Sequence, residues 1–416
     1  MSKISCYYTL GAINYKNGFV TSCAQQSDYL HIQKETLLPS EFFNSNGFKQ
    51  HRLDLMSGTW PEGCDICEAV EKHSSGKSMR MDYPADESYY DYNTGHVSFK
   101  GLKHVELRFS NSCNMACLHC SQVYSSGWVS KLKHYVPDEE DYTLKLDQLT
   151  GIMHRQSMDE DLNIKLSIPE VESIVNDLNK NFPNIEKIDF AGGEVLYQKQ
   201  FFPCLELLAK HPNAKNILLT FHSNFNANHD PIKLSKLLEP FGESLIHMSL
   251  DAGKNIYPYF RDGNWDTLTN HINTFRSVNN FTELSIVCTT SAYQLMDIHN
   301  VFESFLLLDI DWIDASIVYT PPYINPSIMM FDFENDVLTD IEKTYAMIKQ
   351  NGNQLERCAL EAVDLIKEYI INHKPSYKDY ETFLVYIKKS DKLWKQKFNN
   401  YMKNYKYINN KIVRVT

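Results

Sequence analysis

The sequence has no apolar run that approaches the about 20 residues a helix needs to cross a lipid bilayer. Its opening residues, MSKISCYYTL, also lack the long apolar segment of a secretory signal peptide. The sequence therefore predicts a cytoplasmic protein that does not enter a membrane. It contains no internal repeat and no low-complexity tract, which excludes solenoids and repeat arrays.

The sequence also lacks an excess of positive charge. Its 416 residues carry 41 Lys and Arg against 52 Asp and Glu, a formal net charge of -11. A general nucleic-acid binder needs a basic face, so the overall balance argues against that class of protein. The length is sufficient for one large domain with additions, or for two to three smaller domains.

Cysteine is present and concentrated, since seven of the ten cysteines precede residue 121. In a reducing cytoplasm, clustered thiols are better explained by metal ligation or catalysis than by disulfides. The segment LRFSNSCNMACLHCSQVYSSGW holds three of them, and four more lie before residue 100. The other three, in apolar helix or strand patterns, are predicted to be small core residues: Cys204, Cys288 and Cys358.

The chain divides into three segments by pattern. Residues 1–99 are rich in Tyr, Gly, Asn and Ser and predict a small, loop-rich unit that a cofactor must stabilise. Residues 100–325 alternate six predicted strands, from HVELRFS to WIDASIVYTPP, with five predicted helices, which indicates parallel strands in a partial barrel or an open sheet. Residues 326–416 predict a helical extension, and the polar stretch 121–167 predicts an insertion over the mouth of the sheet.

The thiols of Cys113, Cys117 and Cys120 follow the first predicted strand of this alternation. Three cysteines leave a structural zinc one ligand short, although His119 is a conceivable fourth. They fit an iron–sulfur cluster with one open iron that a small molecule can chelate. Ligands of parallel α/β proteins lie at the carboxyl ends of strands, where this loop begins. A zinc loop or a group of core thiols is the alternative.

The spacing Cys-x-x-x-Cys-x-x-Cys resembles that of the radical S-adenosylmethionine (SAM) superfamily, and further motifs match over about residues 100–325. FAGGEVL matches the Gly-Gly-Glu motif that receives the SAM amino group, and MSLDA matches Ser-x-Asp. HSNF stands where the family often has Thr-Asn-Gly and departs from it at the glycine. YFRDGNW supplies an arginine that in relatives helps to hold the SAM carboxylate. The matching positions are Gly192, Gly193, Glu194, Ser223, Asn224, Ser249, Asp251 and Arg261.

This resemblance implies a partial (β/α)6 barrel and a [4Fe-4S] cluster held by the three cysteines. It implies that one electron, from a reductant such as flavodoxin or ferredoxin, cleaves SAM to methionine and a 5′-deoxyadenosyl radical, which takes a hydrogen from the substrate. It also implies that His119 backs the adenine of SAM rather than binding iron.

The four thiols before residue 100 make a second set, Cys6, Cys23, Cys64 and Cys67. NGFVTSC resembles the Gly-x-Val-x-x-Cys turn of SPASM and twitch auxiliary-cluster domains, and WPEGCDIC resembles their paired thiols. In those domains the set follows the barrel, whereas here it precedes it. The resemblance implies a second [4Fe-4S] cluster without an open iron, and a structural zinc is the alternative.

The substrate is not determined by any motif. The auxiliary set favours a peptide or an amino-acid-like substrate. A nucleotide or hypermodified, aminoacylated base in DNA is the second hypothesis, and a small alcohol or aminoglycoside the third. A non-catalytic iron–sulfur or zinc protein is the hypothesis from another class.

The basic end bears on this choice of substrate. From Lys388 onwards the chain carries nine Lys and Arg against one acid, interleaved with aromatic residues. Nucleic-acid binding is possible there. The favoured interpretation is an amphipathic helix that packs its rings on the barrel and leaves its lysines in solvent.

Overall fold

The computed structural model describes residues 3–16, 19–23, 38–73, 78–81, 83–121, 124–135, 166–319, 321–393 and 395–415. Most of the predicted insertion, including residues 136–165, therefore lies outside the described part of the chain, as does Trp394. No helix in the described ranges is long and apolar enough to span a membrane.

Eight strands form one sheet with the order β2-β1-β3-β4-β5-β6-β7-β8. Strand β2 is antiparallel to β1, and the pairs β1–β3, β3–β4, β4–β5 and β7–β8 are parallel. The order is open, with β2 and β8 at its ends. The strands are β1 (Ala12–Lys16), β2 (Phe19–Thr21), β3 (His104–Arg108), β4 (Lys187–Ala191), β5 (Leu218–Ser223), β6 (Glu243–Ser249), β7 (Glu283–Thr290) and β8 (Trp312–Ile317).

The six strands predicted from the sequence are β3 to β8, and the α/β class of the fold is confirmed. The helices of the described ranges are α1 (Tyr7–Gly11), α2 (Pro39–Phe42), α3 (Asn46–Met56), α4 (Asp65–His73), α5 (Ser126–Tyr135), α6 (Ile168–Asn181), α7 (Phe201–Leu208), α8 (Pro231–Leu238), α9 (Tyr257–Arg261), α10 (Trp265–Val278), α11 (Ala292–Leu295), α12 (Ile298–Leu306), α13 (Glu334–Asn351), α14 (Glu356–Asn372), α15 (Tyr377–Leu393) and α16 (Phe398–Tyr401). Of these, the five connecting helices predicted from the sequence are α6, α7, α8, α10 and α12.

Helix α6 shows why these segments form. The hydroxyl of Ser167 accepts a hydrogen bond from the Glu170 N–H, and the Glu170 carboxylate accepts from the Ser167 N–H at 2.6 Å. This reciprocal capping satisfies donors that the first helical turn leaves unpaired. Apolar residues at helical spacing then form one buried face, namely Val171, Ile174, Val175 and Leu178.

The chain forms two compact units. Unit 1 comprises Met1–Asn111, Asn163–Phe221 and Ile232–Leu245, and unit 2 comprises Ser112–Leu162, His222–Pro231 and Ile246–Thr416. In unit 1, Ile188 and Phe190 alternate with polar residues along β4, and the Phe190 ring meets Phe201 of α7 at 5.1 Å. On the other face of β4, Asp189 lies 2.6 Å from Nε2 of His104. One face of these strands is therefore apolar and covered by helices, and the other is polar.

The basic end of unit 2 is packed. Phe398 and Tyr405 are fully buried, and Tyr401 meets Tyr259 with ring centroids 5.4 Å apart. The guanidinium of Arg414 binds the Asp340 carboxylate at 2.9 Å. The packing of the rings is as predicted from the sequence.

The shape of the basic end differs from the prediction. The amphipathic helix predicted for the basic end from Lys388 onwards stops already at Leu393. After α16, a hairpin of β9 (Tyr405–Ile408) and β10 (Lys411–Arg414) follows.

Candidate active site

The three cysteines of the predicted SAM-binding cluster lie in unit 2, in the loop 112–121, called the cluster loop below. Cys117 is buried, and Cys113 and Cys120 are partly buried. Burial raises the pKa of Cys117, and burial with the neighbouring Cys113 raises the pKa of Cys120 to about 12. Thiols in such a place ionise only when a positive charge compensates them, which is what iron supplies. The donor set thus fits an iron–sulfur cluster.

Hydrogen bonds from neighbouring elements hold the backbone of the cluster loop. The Trp128 indole N–H donates to the Cys117 carbonyl at 2.9 Å, and the Ser125 hydroxyl donates to the Met115 carbonyl at 2.5 Å. From α15, the Tyr386 hydroxyl donates to the Leu118 carbonyl at 2.6 Å. Trp128 and Tyr386 are themselves buried. The loop is therefore fixed by partners on both α5 and α15.

Gly127 allows the close contact between α5 and the cluster loop. A Cβ at this position would lie 2.5 Å from the Met115 carbonyl oxygen, which is far inside van der Waals contact. We expect Gly127→Ala to displace the loop, to destabilise the protein by about 1–3 kcal/mol, and to lower the iron retained after anaerobic reconstitution. Iron analysis and urea unfolding measure the two effects.

Gly352→Ala is the matched control for this substitution. Gly352 has a φ of +58°, and a Cβ there would meet nothing within 4 Å. This variant should lose about 1 kcal/mol from backbone strain and keep its full iron content. Equal iron in the Gly127 variant and the wild type would show that the contact does not shape the loop.

A buried ion pair lies beside the cluster loop. The Arg261 guanidinium donates to Oδ2 of Asp251, while Oδ1 of Asp251 accepts from the Thr289 N–H at 2.7 Å. Burial opposes the charge of Arg261, but the neighbouring Cys117 and Asp251 outweigh it and raise the pKa of Arg261. The side chains are only 6% and 2% exposed, so the pair is held in a fixed position within unit 2.

His119 lies next to this pair. Its ring stacks on Phe260 with centroids 5.0 Å apart, and its Nε2 lies 3.4 Å from Oδ2 of Asp251. Burial lowers the pKa of His119 to about 4, with Asp251 opposing the shift. The imidazole is therefore neutral at pH 7 and offers a flat surface rather than a charge.

Asn224 adjoins the cluster loop as well, and Ser223 precedes it at the end of β5. The Asn224 amide donates to the side-chain oxygen of Asn114 at 2.8 Å. Phe225 follows with a φ of +52°, the left-handed conformation that the glycine of Thr-Asn-Gly would adopt without strain. The Ser223 hydroxyl accepts from the Phe225 N–H at 2.9 Å, and this local bond offsets part of that strain. Phe225, which stands where the motif has glycine, therefore still adopts the left-handed turn conformation.

The Gly-Gly-Glu segment lies in unit 1, directly after β4. Gly192 has a φ of +113°, and a Cβ there would lie 2.8 Å from the Ser110 carbonyl oxygen. The Gly193 N–H donates to the same oxygen at 3.1 Å. Glu194 is buried, and its Oε1 accepts from the Leu196 N–H at 2.9 Å. The carboxylate is thus held in place by its own turn.

The four N-terminal cysteines also come together, in unit 1. Cys6, Cys23, Cys64 and Cys67 line one pocket, whose wall is completed by apolar side chains including Trp60. Burial and then the neighbouring thiols raise the pKa of Cys64 to about 12. A set brought together from such distant positions in the chain is typical of a metal or cluster site.

Within the described ranges, no group of three His, Cys, Asp or Glu side chains is arranged to hold a single metal ion. Four cysteine thiols are the ligand set of either a tetrahedral zinc or a closed iron–sulfur cluster.

Ser249 ends β6 in unit 2, two residues before Asp251. The structure thus gathers Cys113, Cys117, Cys120, His119, Asn224, Asp251 and Arg261 in unit 2. Two residues that hold the cluster loop, Trp128 and Tyr386, are not predicted from the sequence. Trp128 carries a weak signal because it ends the cysteine-rich segment, whereas Tyr386 lies 268 positions from its partner and carries none.

No protein-family model and no curated protein matches this sequence. Among solved structures, the chain is similar to native anSMEcpe with bound AdoMet, at 18% identity and a TM-score of 0.39, over 61% of this chain and 62% of that one. It is similar to SuiB of Streptococcus suis bound to the precursor peptide SuiA, at 13% identity and a TM-score of 0.38, over 71% and 61%.

A third similar structure is coproporphyrinogen III oxidase (HemN) from Escherichia coli, described as a radical SAM enzyme, at 14% identity and a TM-score of 0.36, over 60% of this chain and 52% of that one. The chain thus spans less than two thirds of each of these three proteins.

Proposed function

We propose that this protein is a radical SAM enzyme. The cluster loop carries the proposal, because it presents three thiols at the Cys-x-x-x-Cys-x-x-Cys spacing and is fixed by Trp128 and Tyr386. Three cysteines leave one iron of a [4Fe-4S] cluster open for the amino and carboxylate groups of SAM. When bound, the cluster and SAM supply the radical chemistry, and the protein supplies binding, orientation and exclusion of water.

Two buried atoms beside the cluster loop support a ligand there. Nε of Arg261 and Nδ1 of His119 have no hydrogen-bond partner among the described residues. Buried polar atoms without partners are costly, so such atoms point to a group that binds next to them. Because Asp251 orients Arg261, its guanidinium is placed to receive a carboxylate such as that of SAM. From the resemblance of FAGGEVL to the Gly-Gly-Glu motif alone, we propose that Glu194 receives the amino group of SAM.

Calorimetry with SAM on the anaerobically reconstituted protein tests this assignment. Glu194→Gln keeps the size of the side chain and removes its charge, so SAM affinity should fall by about 10- to 100-fold. Glu186→Gln is the matched control, since Glu186 is 59% exposed and pairs with Lys103. Unchanged affinity in the Glu194 variant would remove this residue from the site. No SAM binding by the wild type would leave the non-catalytic hypothesis.

We infer that the four N-terminal cysteines hold a second [4Fe-4S] cluster. Their pocket is largely apolar, with Leu55, Trp60 and Met79 in its wall. An apolar surround and four cysteine ligands suit electron transfer or stabilisation of the fold rather than substrate binding. The division into segments 1–99, 100–325 and 326–416 stays a prediction.

Replacing both Cys64 and Cys67 by alanine tests the second cluster. We expect the variant to lose about four irons and to retain SAM binding, since the cluster loop keeps its own ligands. Cys204→Ala is the control, because Cys204 is buried in α7 and should not affect iron content. Zinc instead of iron in the wild-type site would establish a structural metal.

For the substrate, we propose a peptide or amino-acid-like group, on the basis of the auxiliary cysteine set. The second hypothesis, a modified base in DNA, loses support from the basic end, because Phe398 and Tyr405 are buried and unavailable for base stacking. Reduced enzyme with SAM and separate pools of peptides, nucleosides, short DNA, and small alcohols and aminoglycosides separates the hypotheses. Only the peptide pool should raise deoxyadenosine above the uncoupled background.

A further inference from the structure

Helix α15 presents a row of lysines to solvent. Lys378, Lys388 and Lys392 are exposed and Lys389 is half-buried, and Lys395 and Lys397 continue the row after the helix. We call these six residues the basic strip. Positions 378, 382, 385, 389 and 392 recur at helical spacing, so they lie on one face. This positive face contrasts with the net charge of -11 of the whole chain.

A groove runs along this face of α15. Its lining includes Tyr323, Val385 and Tyr386, and its charged residues are Lys378, Glu381 and Lys389. Val385 is 51% exposed, and the rings of Tyr323 and Tyr386 meet at 4.9 Å. The surface therefore has a small apolar centre with two lysines and one glutamate around it, and a polar rim about an apolar centre is typical of a protein docking site.

Tyr386 connects the groove to the cluster loop. While its ring lines the groove, its hydroxyl donates to the carbonyl of Leu118 at 2.6 Å. Leu118 lies between Cys117 and Cys120 in the sequence, and its N–H donates to the Phe260 carbonyl at 2.9 Å. A partner seated in the groove is thus one side chain away from the backbone that carries two cluster ligands.

Charge and position together favour one kind of partner. Complexes of redox proteins are small and brief, and opposite charge guides their association. A nucleic acid would use the same lysines, but Phe398 and Tyr405 of the basic end are buried and are unavailable for stacking on bases. An acidic electron carrier explains both the lysines and the contact with the cluster loop.

We propose that the basic strip and the groove of α15 are the docking surface for an acidic protein of the flavodoxin class, which reduces the cluster of the cluster loop. The proposal rests on the proposed function. The flavin hydroquinone of the carrier would give up one electron and become the semiquinone, and the cluster that Cys113, Cys117 and Cys120 would hold would accept that electron. No bond forms or breaks in this transfer.

Stopped-flow measurement of the loss of cluster absorbance tests the proposal, with flavodoxin hydroquinone or dithionite as reductant. The strip variant is K388E/K389E/K392E, and the matched control is K210E/K236E/K349E, three exposed lysines on or next to other helices. At low salt, reduction by flavodoxin should be about tenfold or more slower in the strip variant and little changed in the control. Dithionite, which needs no docking surface, should reduce all three proteins equally.

Binding of oxidised flavodoxin to the cluster-free proteins gives a second readout that needs no activity. The strip variant should lose the salt-dependent binding that the wild type and control show. Equal flavodoxin rates in strip variant and wild type overturn the proposal, as does failure of flavodoxin to reduce the wild type. Binding of a DNA duplex through the strip, without flavodoxin binding, also overturns it. Failure of the proposed function would instead appear as absence of SAM cleavage with dithionite.

Discussion

Replacing Cys113, Cys117 and Cys120 together by alanine should lower the iron content of the reconstituted protein from about eight to about four per chain. SAM cleavage should fall to the background rate, because no open iron remains for the amino and carboxylate groups of SAM. The irons that stay would belong to the proposed second cluster of the four cysteines in unit 1. Iron analysis, together with electron paramagnetic resonance of the reduced protein, measures the loss.

The control for this triple variant is Cys358→Ala. Cys358 is a buried thiol of α14, and its sulfur accepts from the Ile313 N–H at 3.4 Å. Its loss should lower stability without changing either cluster. If the triple variant kept all its iron, the assignment of the cluster loop would be wrong.

Asp251→Ala is expected to have the second largest effect, on both stability and SAM binding. The substitution leaves Arg261 charged and buried without its carboxylate, and removes the acceptor of the Thr289 N–H. Breaking a buried pair by removing one partner costs about 3–5 kcal/mol of unfolding free energy. Urea unfolding of the anaerobic protein measures this cost, and calorimetry measures the loss of SAM affinity.

Two further variants separate the loss of charge from the loss of the hydrogen bond to Thr289, and the loss of stability from the loss of SAM binding. Asp251→Asn keeps an oxygen for Thr289 but removes the charge, so it should lie between the wild type and Asp251→Ala. The double variant Asp251→Leu with Arg261→Met removes both charges and should recover much of the stability while SAM binding stays lost. An unfolding free energy of Asp251→Ala within about 1 kcal/mol of the wild type would contradict the importance of the pair.

The strands of the α/β region could be predicted because each carries its own local signal. Along β4, for example, Ile188 and Phe190 alternate with polar residues, and the capping residues Ser167 and Glu170 mark the start of α6. Such patterns depend on a few neighbouring residues. The predicted strand and helix segments therefore match the described elements closely.

Strands β1 and β2 could not be predicted in the same way. Their five and three residues lie in a stretch rich in Tyr and Gly, and β1 becomes a strand through parallel pairing with β3, about 90 residues later in the chain. The C-terminal hairpin did carry a signal. An Asn-Asn pair between two short runs of β-branched and aromatic residues is typical of a hairpin turn. Asn409 and Asn410 both adopt positive φ, as such a turn requires.

The candidate site likewise has features that the local sequence predicts and contacts that only the fold creates. The cysteine spacing and the Gly-Gly-Glu motif are local, so the sequence predicts them by residue. The pairing of Asp251 with Arg261, ten positions apart, needs the fold. The bond from Tyr386 to Leu118 joins two ends of unit 2, and no pattern in either segment indicates it.

Formation of 5′-deoxyadenosine from SAM by the reconstituted, dithionite-reduced protein tests the central claim most directly. The wild type should produce deoxyadenosine and methionine in equal amounts, and the triple cysteine variant should produce neither above background. A wild type that carries a [4Fe-4S] cluster in the cluster loop, binds SAM and still forms no deoxyadenosine would contradict the claim that this protein is a radical SAM enzyme.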